Sequence, residues 1–91
     1  MTLRRFKPSN AMTFATVSED KQRLLSFLEK SPFKAWVFDL SQVKSCDSAG
    51  LALLLEAKRL SEISGINCQF DGISDEIRSL IRFCGVNELL L

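Results

Sequence analysis

The chain contains no histidine and no tyrosine. Without imidazole, Ser-His-Asp and Cys-His catalysis are excluded, as are the zinc sites that need a histidine ligand. Its three cysteines, Cys46, Cys68 and Cys84, are an odd number and form no CxxC pair. All three sit among apolar neighbours, which reads as small buried hydrophobes in a reducing compartment. Long apolar runs are missing too. The longest, Leu51 to Leu55, falls far short of the roughly 20 residues of a spanning helix. The basic N-terminus, Met1 to Pro8, has no apolar stretch behind it and does not read as a secretory signal. An excess of either charge is also lacking. Twelve Lys and Arg against eleven Asp and Glu leave a net charge of +1, no footprint for wrapping nucleic acid.

What is present is the composition of a globular domain. The chain has 91 residues, 46% hydrophobic and 25% charged. That is one domain's length, spanning residues 1–91, with enough apolar material for a modest core. No internal repeat or low-complexity segment is visible.

Hydrophobic patterning orders the elements. Leu3 to Lys7 reads as a short edge strand, closed by Pro8-Ser9-Asn10. Ala11 to Val17 reads as a second strand. Ser18, with Glu19 and Asp20 behind it, starts a helix whose apolar stripe is Leu24, Leu25, Phe27 and Leu28. Ser31-Pro32 ends that helix. Ala35 to Leu40 is nearly continuously apolar, as suits a central strand buried on both faces. A longer helix covers about Ser48 to Ser64, with Gly65 at its left-handed stop. Ile66 to Phe70 is another strand. Ser74 caps a third helix with the stripe Ile77, Leu80, Ile81, Cys84, which Gly85 stops. Val86 to Leu91 reads as a short terminal turn or helix. The order β-β-α-β-α-β-α gives an α/β fold: a central mixed sheet of about four strands, with three to four helices mostly on one face.

Asp47-Ser48-Ala49-Gly50 lies where a loop enters the second helix. A helix N-terminus offers free N–H groups and partial positive charge. There Asp47 or Ser48 caps the helix, and a phosphate on Ser48 would also be tolerated. By helical spacing, Leu53, Ala57, Leu60 and Ser64 form a core face. Ser48, Leu51, Ala52, Leu55, Arg59 and Glu62 fall opposite. Either Leu89-Leu90-Leu91 or another loop covers Leu51 and Leu55, or these residues form a docking patch rimmed by Arg59 and Glu62. Asp39, Asp47 and Asp71 lie near strand ends, where helix caps and turns are the commoner use and a metal or phosphate site the rarer one.

The combination Val37-Phe38-Asp39-Leu40-Ser41, a spacer, then Asp47-Ser48-Ala49-Gly50-Leu51 resembles the signature of the STAS domain family. That family includes anti-sigma factor antagonists and domains of sulphate transporters. The likeness covers about residues 11 to 88. The continuation Gly50-Leu51-Ala52-Leu53-Leu54-Leu55-Glu56-Ala57 is most similar to the small STAS subunit of the Mla phospholipid ABC transporter. Thr16-Val17-Ser18-Glu19-Asp20 departs from the family's Gly-x-Leu-Asp-like run before the first helix.

The resemblance implies a non-catalytic subunit with no cofactor and no metal. It would dock on the transporter's cytoplasmic ATPase, and through it on the permease, in a system that maintains outer-membrane lipid asymmetry. Contact would use Ser48, Leu51, Ala52 and Leu55 with Arg59 at the rim, and Asp47 and Gly50 shaping the loop. The expected location is the cytoplasm, peripheral to the inner membrane through the partner, with no direct insertion. The other implied role is an anti-sigma factor antagonist, bound and phosphorylated at Ser48 by a serine kinase. An acyl-chain site in this chain itself is not favoured, since three helices and a sheet use its apolar residues.

Overall fold

A computed structural model describes residues 3–30 and 34–90. Five strands and four helices follow one another among these residues: β1 (Arg4–Phe6), β2 (Ala11–Met12), α1 (Val17–Glu29), β3 (Ala35–Asp39), β4 (Ser45–Cys46), α2 (Ser48–Ile63), β5 (Asn67–Asp71), α3 (Asp75–Phe83) and α4 (Asn87–Leu90). The α/β class is as expected. The strands form two ladders, β1-β3-β5 and β2-β4, and every pair in them is parallel rather than mixed.

The central position of β3 follows from its composition. Trp36 and Phe38 point to one face and join Phe6, Leu24, Leu53 and Ile81 in the core. Phe6, Phe38 and Phe70 stand in register across three strands, their ring centroids 5.4 and 5.8 Å apart. Trp36 packs tilted against Phe27 at 5.3 Å. Its indole N–H donates to the buried Ser61 hydroxyl at 2.9 Å, so the one polar atom of this ring is satisfied.

Val37 and Asp39 alternate to the other face. Val37 is buried yet lies outside the core cluster. There β3 is flanked by polar side chains: Arg5 of β1 forms ion pairs with Asp39 and with Asp71 of β5. The expectation of burial on both faces holds, since Val37 and Asp39 are buried on this face too, but its polar component is a charged strap that runs across three strands.

Several boundaries move. The strand expected over Ala11 to Val17 keeps only Ala11 and Met12. Thr16 explains the loss: its hydroxyl donates to the Ala11 carbonyl at 2.6 Å and accepts from the Thr13 N–H at 3.0 Å, closing a turn where strand was expected. α1 consequently starts at Val17, with Thr16 rather than Ser18 at its N-cap position. Asp20 turns inward and accepts from the Ser9 N–H at 3.0 Å and the Ser9 hydroxyl at 2.7 Å. Leu25 remains 38% exposed instead of joining the stripe. In α3, Ile77 and Ile81 are buried as expected, but Cys84 is exposed. The Ser31-Pro32 stop lies outside the described residues, as does Leu91.

The largest change concerns α2. Its buried residues are Gly50, Leu51, Leu53, Leu54, Ala57 and Ser61. Leu60 is only half-buried and Ser64 is exposed, so the core stripe is rotated and wider than expected. α2 meets β5, α1, α3 and α4, so more than a narrow arc of it is covered. Gly65, with φ of 69°, supplies the left-handed stop after this helix.

Candidate functional site

The site is built from the β2–α1 turn and the first half of α2. Asp47 organises both. One of its carboxylate oxygens accepts from the N–H groups of Ala49 at 2.9 Å and Gly50 at 3.2 Å, capping α2. The other accepts from the Phe14 N–H at 3.0 Å. That Phe14 bond foremost, and the two cap bonds with it, hold the Asp47 carboxyl below its ordinary range, outweighing its partial desolvation.

Gly50 completes the joint. A Cβ on it would stand 2.1 Å from the Met12 carbonyl oxygen and 2.8 Å from the Cys46 sulfur. The residue must be glycine for α2 to lie this close to β2. Beside it, burial pushes the Cys46 thiol up to about 11, with the Asp47 charge adding to the shift. Burial does the same to Cys68, also to about 11. Neither is a reactive thiolate at neutral pH.

With the joint fixed, an exposed ridge runs along α2. Ser48 and Ala52 are exposed, Leu55 is half-buried and Arg59 is exposed. The Ser48 hydroxyl has no hydrogen-bond partner among the described residues. Arg59 forms an ion pair with Glu56 one turn back. A shallow apolar groove of about 330 Å³ lies to one side, lined by Phe14, Val17, Lys21, Ala49, Ala52 and Glu56. On the other side a groove of about 320 Å³ is lined by Leu55, Lys58, Arg59, Glu62 and Leu89.

The expected patch is therefore brought together in part. Ser48, Ala52, Leu55 and Arg59 share the ridge. Leu51 does not: it is 3% exposed and sits in the core cluster with Ile77, Ile81 and Leu90. The C-terminal elements cover it, as one of the two readings of the sequence allowed. The same helix leaves Leu55 half open, with Leu89 57% exposed beside it. Phe14, at 84% exposure, was not foreseen as a surface group. The sequence reads it as part of the strand expected over Ala11 to Val17, where nothing marks it for the surface.

The strand-end acids all have structural uses. Asp47 caps a helix, while Asp39 and Asp71 hold Arg5. Among the described residues no cluster of three or more His, Cys, Asp or Glu could hold a metal ion. No helix among them is long and apolar enough to cross a membrane.

Comparison with known proteins gives the family and the fold. The family model described as "Mlab, STAS domain" matches residues 9–91. The chain belongs to the MlaB-type STAS domain family. In fold, this STAS domain is similar to a sulfate transporter family protein from Wolinella succinogenes known from its crystal structure, with a TM-score of 0.77 at 21% identity, over 98% of this chain and 71% of that one. No curated protein sequence matches it. Asp47 at the cap and Gly50 against β2 are the two residues that hold the joint.

Proposed function

We propose that this STAS domain is a non-catalytic subunit that docks on the cytoplasmic ATPase of a phospholipid ABC transporter, one that maintains outer-membrane lipid asymmetry. Through that partner it sits peripheral to the inner membrane. The observation that carries the reading is the α2 ridge: small exposed side chains, Ser48 and Ala52, between two apolar grooves, with Phe14 and Leu89 standing out of them. A ridge of small residues lets a partner surface approach closely, and the flanking apolar side chains supply burial on contact. The MlaB-type family match supports the choice of partner.

A second reading, an anti-sigma factor antagonist switched by phosphorylation, is favoured by one feature: the Ser48 hydroxyl is exposed and unengaged.

Affinity purification of the tagged chain from its own cells, with mass spectrometry, tests both. Recovery of an ABC ATPase, lost in Ala52→Glu and Phe14→Asp variants whose thermal unfolding is unchanged, is the expected result. A serine kinase as partner, with phosphate on Ser48, would replace it with the regulatory reading. Retention of the ATPase by both variants would move the contact off this ridge.

A further inference from the structure

Charge is unevenly spread along this chain. Residues 1–34 carry seven Lys and Arg against three acids, whereas residues 35–91 carry five against eight. The near-neutral total hides this segregation.

The fold gathers part of the basic excess in one place. β1 and α1 border an open groove of about 680 Å³ whose polar walls are Arg5, Lys7, Gln22, Arg23, Ser26 and Lys30. The rings of Phe6 and Phe27 supply its apolar part, and no acid lines it among the described residues. Two of the four cations are anchored. Arg5 is held by Asp39 and Asp71. Arg23 donates to Asp20 at 3.2 Å and to the Lys7 carbonyl at 2.8 Å, with its guanidinium 5.2 Å from the centre of the Phe6 ring. The partner acid is fully buried, so Arg23 is fixed from behind while its side chain stays half exposed. Lys7 and Lys30 have no ion-pair partner among the described residues. Gln22, Ser26 and Lys30 follow one another at i, i+4 and i+8, so their side chains line one wall of the groove.

We propose that this groove binds a phosphate group, carried either by a phospholipid headgroup or by a soluble phosphate ester. Two unpaired ammonium groups supply net positive charge. A rigidly held guanidinium and the neutral donors of Gln22 and Ser26 suit a ligand with several acceptor oxygens. The groove is open to solvent, so a headgroup at a membrane surface can reach it without chain insertion. It shares no residue with either groove beside α2, so this inference does not rest on the docking reading.

The test uses the full chain and two sets of probes. The soluble set is inorganic phosphate and glycerol 3-phosphate, followed by amide NMR shifts. The lipid set is vesicles of phosphatidylglycerol with phosphatidylcholine, against phosphatidylcholine alone, followed by co-sedimentation. Binding in at least one set is expected, and the set that binds names the source of the phosphate. Lys7→Gln and Lys30→Gln should each weaken vesicle binding about fivefold, and the double variant about 25-fold. Raising salt from 0.1 to 1 M should also release the ligand, because the screening length falls from about 10 to about 3 Å. Both lysines are exposed or at the groove rim, so their variants should unfold like the parent chain. Arg82→Gln on α3, an exposed cation remote in sequence, should leave binding unchanged. The proposal is overturned if neither set binds, if the double lysine variant binds as the parent does, or if Arg82→Gln costs as much as a groove lysine.

Discussion

In the β1-β3-β5 ladder, the groups that fix the pairing are large and apolar: Trp36 and Phe38, flanked by Phe6 and Phe70, buried against the helices. In the β2-β4 ladder the pairing is only two residues deep, Ala11 with Ser45 and Met12 with Cys46. It is held by polar bonds and close approach: the Asp47 cap, the Thr16 turn and the bare Cα of Gly50 against Met12. The first ladder is tolerant in detail and expensive to hollow out. The second is inexpensive to loosen but exacting in geometry, and the candidate docking ridge starts from it. Stability and site therefore rest on different chemistry, and substitutions should separate them.

The largest effect belongs to the apolar ladder. Trp36→Ala should cost about 3–5 kcal/mol, since it empties a fully buried position and leaves the buried Ser61 hydroxyl without its donor. For a domain of this size that approaches the whole of its stability. Urea unfolding measures it. A loss below about 1 kcal/mol would mean that the aromatic core is not what holds this sheet.

Gly50→Ala comes next, at about 1–3 kcal/mol, because the added methyl meets the Met12 backbone first and the Cys46 sulfur behind it. Its signature should differ from that of Trp36→Ala. The displaced helix start carries the Phe14 turn with it, so amide shifts should concentrate at residues 12–16 and 46–50. Shifts spread evenly through the sheet would erase the distinction between the two ladders.

Asp47→Ala should be milder, about 1 kcal/mol for a lost N-cap. The more telling readout is hydrogen exchange at the Phe14 amide, which loses its acceptor and should exchange faster. Partner binding should fall by more than the stability does, since Phe14 is then no longer held beside Ala52. If Phe14 stays protected, the Thr16 turn alone orders the site.

The same division explains what could be read in the sequence. Residues whose burial follows periodicity were legible: the strand around Trp36 and Phe38, the stripe Ile77 and Ile81, and the glycine stops at Gly65 and Gly85. The Asp47–Gly50 entry into α2 was legible because a cap and a glycine have local chemical reasons. The β4 strand was not, since two residues, Ser45 and Cys46, carry no period. Leu51 was misplaced because a wheel drawn for one core face ignores α3 and α4 packing on the flank. Phe14 was missed because its exposure depends on a hydrogen bond to Asp47, thirty-three positions away. The charged strap of Arg5 across Asp39 and Asp71 was equally hidden, because it needs the register of three strands.

The smallest effect concerns that strap, the charged feature of the apolar ladder. Hydrogen bonds from Ser41 first, and then from Arg5, hold Asp39 down to about 2 despite its burial. An unfolded aspartate titrates near about 3.9. The folded state thus favours the carboxylate, and its contribution is complete above about pH 4 and lost as pH falls through about 2. Asp39→Asn should therefore flatten the fall in stability between those limits, measured by urea unfolding at a series of pH values. Some slope should remain, because the Asp47 carboxyl is also held low. An unchanged slope in Asp39→Asn would place the acid sensitivity in the small ladder, at Asp47. The two ladders would then differ not only in what holds them but in which one acid releases first.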